Sequence, residues 1–260
     1  MAFSGASPPL LVTRGLTKSF RNLVALRDQE IVVRKGEIVG VIGPNGSGKS
    51  TFFNLVSGFL RADEGEILFN GRPIMRRTAT EIVQLGIART FQGTRLFPAL
   101  TVAENIRVAA ELRHPTGLFD ALLGTPRRLH AEREVNALTE ELLERVGLAS
   151  RRNQRARDLP YGDQRRLELV RALATRPRLL MLDEPAAGMD ASETRALLRL
   201  IDDIRRRYEL AVIVVEHDMD LIMNLCERIQ VLAHGRRIFE GTPAEVQVNP
   251  RVREVYLGHA

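Results

Sequence analysis

Gly43-Pro44-Asn45-Gly46-Ser47-Gly48-Lys49-Ser50 stands directly after the apolar run Ile38-Val39-Gly40-Val41-Ile42. The spacing is G-x-x-x-x-G-K-[ST], a turn between a buried strand and a helix in which successive backbone N–H groups converge on one anion. Gly43, Pro44, Asn45, Gly46, Ser47, Gly48, Lys49, Ser50 and the following Thr51 are the candidate phosphate cradle. Lys49 brings a compact charge to β- and γ-phosphates, and Ser50 offers a hydroxyl to Mg2+. A helix starting near Gly48 adds the positive end of its dipole. Lysine usage sharpens the reading. Of 38 basic residues only Lys18, Lys35 and Lys49 are lysines, so a chain that otherwise writes positive charge as Arg has an ammonium at this position.

Outward from the loop, strands and helices alternate. Residues 10–13 and 24–33 read as an antiparallel edge sheet, 37–42 as a buried strand, 49–57 as the helix ended by Gly58, and 66–69 as a strand turning at Asn70-Gly71. A short helix over 81–85 precedes a strand over 87–91. From Thr101 to about Leu148 the period is helical, broken by a loop or helix hairpin between His114 and Pro126, and ended at Gly147. A helix follows Gly162. The runs 179–182 and 211–215 are continuously apolar, as strands of a parallel sheet buried on both faces are. Helices over 191–208 and 219–226, strands over 229–233 and 237–240, and a helical tail broken at Pro250 complete the pattern. The fold class predicted is α/β, a P-loop three-layer core with an antiparallel β edge sheet and an inserted helical subdomain. Residues 10–92 are the first part of the nucleotide-binding core, 93–160 the helical subdomain, 161–240 the second part of the core, and 241–260 the tail.

The composition agrees. The chain has 260 residues, of which 44% are hydrophobic, ample for a core. No apolar run reaches the roughly 18 residues of a membrane span, and residues 1–9 read as a floppy leader without signal-peptide character. The single Cys226 excludes an intrachain disulfide, fits a reducing cytosol and reads as core packing. The net charge is +6, but the arginines are scattered in pairs without interleaved aromatics and there is no Trp. That favours a solvated or phosphate-facing surface over a nucleic-acid groove.

A second constellation follows the strand over 179–182. Carboxylates at the C-terminal end of a central strand lie beside the phosphate loop in open α/β sheets. Asp183 therefore suits the Mg2+ shell as a Walker-B carboxylate, and Glu184 suits the orientation or deprotonation of an attacking water. His217 follows the next apolar strand, where strand order can bring it to a γ-phosphate. Gln92 ends the strand that hands over to the helical insertion, and its amide has the reach for Mg2+ and the water.

Together with Leu159-Pro160-Tyr161-Gly162-Asp163-Gln164-Arg165-Arg166 and Ala187-Gly188-Met189-Asp190, these pieces stand in one order that resembles the ATP-binding subunit of an ABC transporter over about residues 10–257. The resemblance implies ATP and Mg2+ as ligands. It implies adenine stacking on Phe20, a Q-loop role for Gln92 near the metal, catalysis by Glu184, a switch role for His217 and a D-loop role for Asp190. It also implies a head-to-tail dimer with a second ATP-binding subunit, a paralogue or a second copy, in which Tyr161, Gly162 and Asp163 face the partner's ATP. Two transmembrane permease subunits and an external solute-binding protein complete the implied system, with this chain peripheral on the cytoplasmic face of the inner membrane and no nucleic-acid partner.

The signature stretch departs from the common Leu-Ser-Gly-Gly-Gln. Pro160 replaces Ser, Tyr161 the first Gly and Asp163 the Gln. The missing hydroxyl removes one γ-phosphate contact and leaves Gly162 and the helix N-terminus, which Pro160 can pre-set. The Tyr-Gly-x-Gln-Arg-Arg-Leu-Glu run, the tail through Tyr256-Leu257-Gly258 and the insertion around residues 115–133 resemble the longer ATP-binding subunit of branched-chain amino-acid importers. Urea uptake, lipopolysaccharide export, a soluble ABC ATPase acting on nucleic acid or ribosomes, and a regulator without turnover are the alternatives.

Overall fold

Side chains on a strand alternate between faces, and in the strands around the phosphate loop both faces are apolar and buried. The computed structural model describes residues 8–113 and 125–257. The predicted leader, most of the predicted break after His114 and the last three tail residues lie outside them. Among the described residues the strands are β1 (Pro9–Phe20), β2 (Leu23–Arg34), β3 (Ile38–Ile42), β4 (Glu64–Phe69), β5 (Arg72–Pro73), β6 (Ile87–Arg89), β7 (Leu179–Asp183), β8 (Ala211–Val215), β9 (Arg228–Ala233) and β10 (Arg236–Gly241). In β3, Ile38 and Ile42 enter one apolar cluster while Val39 and Val41 enter the other. In β8, Val212 and Val214 oppose Ala211, Ile213 and Val215 in the same way. This is why these runs read as continuously apolar.

The larger sheet has the order β10-β9-β3-β8-β7-β6. Its β9, β3, β8, β7 and β6 are parallel, and β10 is antiparallel to β9. The smaller antiparallel sheet, β2-β1-β4-β5, covers one face together with the loop helix Lys49–Val56, whose Phe52 and Phe53 are fully buried. The other face carries the helices Tyr161–Ala174, Ala191–Tyr208 and Met219–Leu225. The helices Val102–Glu111 and Pro126–Arg145 extend that same cluster through Val102, Ile106, Leu142 and Leu143.

The structure lengthens some predicted elements. β1 runs to Phe20 instead of stopping at residue 13, because a register shift between Thr13 and Leu16, with Gly15 at φ 58°, interrupts the alternation without ending the pairing. The helix predicted over 81–85 begins at Ala79, where Thr78 and Glu81 form a capping box. The predicted Asn70-Gly71 turn joins β4 to β5 with φ 49° and 71°, as a two-residue hairpin requires. In the tail, Pro250 separates Pro243–Val248 from Pro250–Leu257 and opens the second helix.

The two sheets meet along a polar seam that braces the loop. Buried Gln29 and Gln230 are hydrogen-bonded to each other, and Gln230 Nε2 also donates to the Glu30 carbonyl at 2.7 Å. Arg27 N–H donates to the Gly235 carbonyl (2.7 Å), and Gly235 N–H donates to the Ser47 carbonyl (3.1 Å). A Cβ on Gly48, at φ 104°, would stand 2.7 Å from the Ala25 carbonyl oxygen. At Gly46, φ is 79° and nothing lies within 4 Å. Gly48→Ala is therefore expected to cost about 1–3 kcal/mol of stability and clearly more than Gly46→Ala. Chemical-denaturation midpoints of the two variants measure this; equal shifts would show that the packing against Ala25 is unimportant.

Candidate functional site

The phosphate loop leaves β3 with Gly43 at φ 151°, where a Cβ would meet the Leu232 carbonyl oxygen at 2.1 Å. It enters the helix Lys49–Val56 through Gly48, with no side-chain cap and no acidic residue in the first turn. The helix therefore presents its N–H groups to an anion with no carboxylate competing for them. Lys49 Nζ donates to the carbonyls of Gly43 (2.6 Å) and Pro44 (3.0 Å). Burial pulls the Lys49 ammonium below the usual lysine range, while Glu184 and Asp183 push it back up. The tail returns to the same place. Burial pushes the Tyr256 phenol up to about 12, and the Gly43 N–H against it acts the other way.

The parallel strand ends bring the remaining candidates together. Asp183 closes β7 and is nearly buried, with Oδ2 bound by Arg89 at 2.7 Å. Glu184 follows in the left-handed region at φ 47°, its N–H donating to the Val215 carbonyl of β8 at 2.9 Å. Gln92 Nε2 donates to Glu184 Oε2 at 3.0 Å. His217 is exposed, with Nδ1 3.9 Å from Glu184 Oε1 and 3.7 Å from Glu216 Oε2. Three candidates distant in sequence, Lys49, Gln92 and His217, are thus brought to the Glu184 carboxylate.

The fit to MgATP rests on this chain's own groups. Ser47 Oγ is buried with no partner among the described residues, and Gly46 leaves open space beside it. No cluster of His, Cys, Asp and Glu among the described residues forms a protein cage for a metal.

The signature residues are placed less simply. Pro160 is the N-cap of the helix Tyr161–Ala174, one position before the site where proline pre-sets a helix, and supplies no side-chain cap. Gly162 lies in the first turn against Glu193, whose Oε1 would be 2.6 Å from a Cβ there. Asp163 pairs with Arg151 and Arg166, each at 3.4 Å. The Tyr161 hydroxyl donates to the Ala187 carbonyl at 2.9 Å. Asp190 caps the helix Ala191–Tyr208 by accepting from Ser192 and Glu193 N–H. Phe20 ends β1 opposite Leu23 with its ring partly exposed, and Lys18 Nζ lies 5.6 Å from the ring centroid. Ala25, two residues beyond Leu23, abuts Gly48, so the hairpin end lies beside the loop.

Sequence reasoning missed the residues beneath these. Arg89 donates to Asn54 Oδ1 (2.7 Å), Ser57 Oγ (3.1 Å) and Asp183, and lies over the Phe53 and Phe91 rings. Glu216 is buried and accepts from the N–H groups of Ala186 (3.0 Å) and His217 (3.2 Å). Arg165 and Glu168 form a buried pair at 3.3 Å. The available signal was a charge placed at an apolar-run boundary, Arg89 after Ile87-Ala88 and Glu216 after Val214-Val215.

This fold and site define a P-loop nucleoside triphosphatase of the cassette type. A family model described as ABC transporter matches residues 26–187, and the chain belongs to that family as an ATP-binding, ATP-hydrolysing cassette. A second model, Branched-chain amino acid ATP-binding cassette transporter, matches residues 236–260. The chain is 42% identical over 254 residues to the high-affinity branched-chain amino acid transport ATP-binding protein LivG of Escherichia coli (strain K12), covering 98% of this chain and 100% of the relative. It is 40% identical to BraF of Pseudomonas aeruginosa with the same coverage. The lipopolysaccharide export ATP-binding protein LptB of Haemophilus influenzae is 33% identical, over 96% of this chain and 97% of LptB. Among solved structures, the ADP conformation of the cassette MJ1267 superposes with a TM-score of 0.84 at 30% identity, covering 97% of this chain and all of that one.

Burial raises the Glu216 carboxyl above its usual range despite two N–H donors. A raised acid contributes its full stability below the ordinary carboxylate pKa and loses it as pH rises through the folded value. Replacement by the neutral isostere removes that loss. The thermal midpoint of Glu216→Gln relative to the parent is therefore expected to climb as pH rises from the ordinary carboxylate range, about pH 4, through neutrality. A difference flat across that range would refute a burial-driven shift.

Proposed function

We propose that this chain binds MgATP and hydrolyses it to drive an importer of branched-chain or other hydrophobic amino acids. The observation that carries the chemistry is Lys49 opposite Asp183 and Glu184, with Gln92 on the Glu184 carboxylate. Lys49 and the loop amides bind the β- and γ-phosphates. Ser50, Asp183 and Gln92 would hold Mg2+, which supplies charge neutralisation on the phosphates when bound. Glu184 orients the attacking water and takes its proton, Gln92 holds Glu184, and His217 donates to the γ-phosphate. Adenine stacks on Phe20. The cargo reading rests on the C-terminal family match and on the names of LivG and BraF.

The same reading supplies partners. A second ATP-binding subunit, a paralogue or another copy, pairs head to tail, and Tyr161, Gly162, Asp163 and the helix N-terminus behind them face its ATP. Residues 93–160 act as the helical subdomain that couples this site to two permeases, and a solute-binding protein delivers cargo outside. A groove of about 250 Å³ lined by Phe59, Ile82, Val83, Phe91 and Leu112 lies beside Gln92 and would seat a helix of the permease. Phe59 and Leu112 leave apolar surface exposed there. No helix among the described residues is long and apolar enough to cross a membrane. As the ATP-binding subunit of a transporter, the chain would sit peripherally on the cytoplasmic face beside its permeases. Lipopolysaccharide export is the second reading, supported by the 33% identity to LptB.

Affinity purification of the tagged chain from host membranes tests the assembly. Two permeases and an adjacent amino-acid-binding protein support the importer, whereas an export permease pair supports the second reading. Glu184→Gln is expected to retain ATP binding and lose about 10²–10⁴ in turnover, with a closed dimer accumulating on size-exclusion chromatography. Full turnover would remove Glu184 from the mechanism. Lys49→Ala is expected to lose ATP binding by equilibrium dialysis, and ordinary affinity would overturn the cradle.

A further inference from the structure

Tyr161 stands where the common Leu-Ser-Gly-Gly-Gln pattern has glycine, and it is tied to its own subunit at both ends of a short chain of contacts. Its hydroxyl donates to the Ala187 carbonyl at 2.9 Å and accepts from Arg165 Nε at 3.0 Å. The Arg165 guanidinium lies 5.2 Å from the ring centroid. On the other side, a Cβ on Gly188, at φ 79°, would be 3.2 Å from the ring, so the turn after Glu184 is shaped around the tyrosine. Arg165 then donates to the carbonyls of Phe91 (3.3 Å) and Gln92 (3.1 Å). Glu168 pairs with Arg165 and accepts the N–H groups of Phe91 and Arg95, each at 3.4 Å. The guanidinium is almost wholly buried and hydrogen-bonded at each nitrogen, the condition under which a buried ion pair specifies one arrangement.

We propose that Tyr161 is a positioning residue for hydrolysis: through Arg165 it locks the Ala187–Gly188 turn to the backbone of Gln92. The two segments that flank the Glu184 carboxylate therefore move as one. Gln92 touches Glu184 directly at 3.0 Å, and Ala187 N–H donates to the Glu184 carbonyl at 3.2 Å. When Gln92 shifts with the state of the γ-phosphate, the displacement passes to the turn leading into Asp190. The hydroxyl carries this linkage, since it contacts both sides, while the ring fills space. The inference rests on the ATPase reading of the site.

The test is Tyr161→Phe in the full chain, which keeps the ring and deletes the hydroxyl. The expected result is a fall of about tenfold in kcat with KM within about twofold, and a thermal midpoint lowered by a few degrees because Arg165 Nε loses its buried acceptor. Hydrogen–deuterium exchange in the Glu184→Gln background gives the readout that a packing role does not move. With Tyr161 present, ATP is expected to protect the peptides around Gln92 and around Ala187 together. With Tyr161→Phe, protection is expected to remain at Gln92 and to be lost at Ala187. Unchanged kcat, joint protection in the variant, or an equal loss of ATP affinity would each overturn the proposal, the last by assigning Tyr161 to nucleotide binding. Failure of the ATPase reading shows separately, as undiminished turnover in Glu184→Gln itself.

Discussion

The ammonium of Lys49 sits half-buried between two loop carbonyls and the carboxylates of Asp183 and Glu184, and the structure around it keeps it there. Taking a charge out of water is costly, so the position holds only where opposing charges and fixed dipoles replace the lost hydration. The parallel sheet supplies both. β3 delivers the loop, β8 lies next to it, and β7 beyond delivers the carboxylates. All three strands are buried throughout, so the spacing between ammonium and carboxylates is set by a close-packed core rather than by flexible side chains. On the proposed reading, such fixed charge needs little reorganisation when phosphate charge develops beside it.

Beneath that centre lie two guanidinium clamps. Arg89 is bonded to Asp183 and to two polar residues near the end of the loop helix, Asn54 and Ser57. Arg165, paired with Glu168, grips the backbone on each side of Gln92. Buried ion pairs contribute little net stability, because desolvation offsets their attraction. Their value here is geometric. A planar guanidinium with several fixed acceptors tolerates few alternative arrangements. Each clamp joins a residue of the candidate site to a neighbouring element, Asp183 to the loop helix and Gln92 to the helix Tyr161–Ala174.

The same economy shows in the signature stretch. Loss of the usual serine at Pro160 leaves backbone donors as its means of meeting an anion, and loss of glycine at Tyr161 adds a side chain that bonds inward. Asp163 is likewise held by Arg151 and Arg166. The stretch is therefore more tightly built into its own subunit than a glycine-rich one, and Gly162, packed against Glu193, keeps the close approach that a side chain would block.

Much of this was readable in the chain itself. Gly43 to Ser50 announces a phosphate loop because its torsions and donors are local properties. Residues 179–182 and 211–215 announce buried parallel strands because both faces must be apolar. Asp183, Glu184 and His217 could be nominated from their positions at strand ends. β1 was shortened in the reading because a bulge at Gly15 breaks the period of two while the hydrogen bonding continues. Arg89 and Glu216 carried only the weak signal of a charge at the edge of an apolar run, and Arg165 and Glu168 carried none, because a buried, partnered charge on a helix reads locally like a solvated one. The sequence by itself determined which residues bend, which bury and which carry chemistry, since those follow from side-chain volume, charge and backbone freedom over a few neighbours. Only the tertiary structure decided that Gln92 would meet Glu184, that Tyr161 would bond to Ala187, and that Tyr256 would return to Gly43. Those contacts join residues far apart in the chain, and they exist only because strand order and core packing bring their backbones within hydrogen-bonding distance.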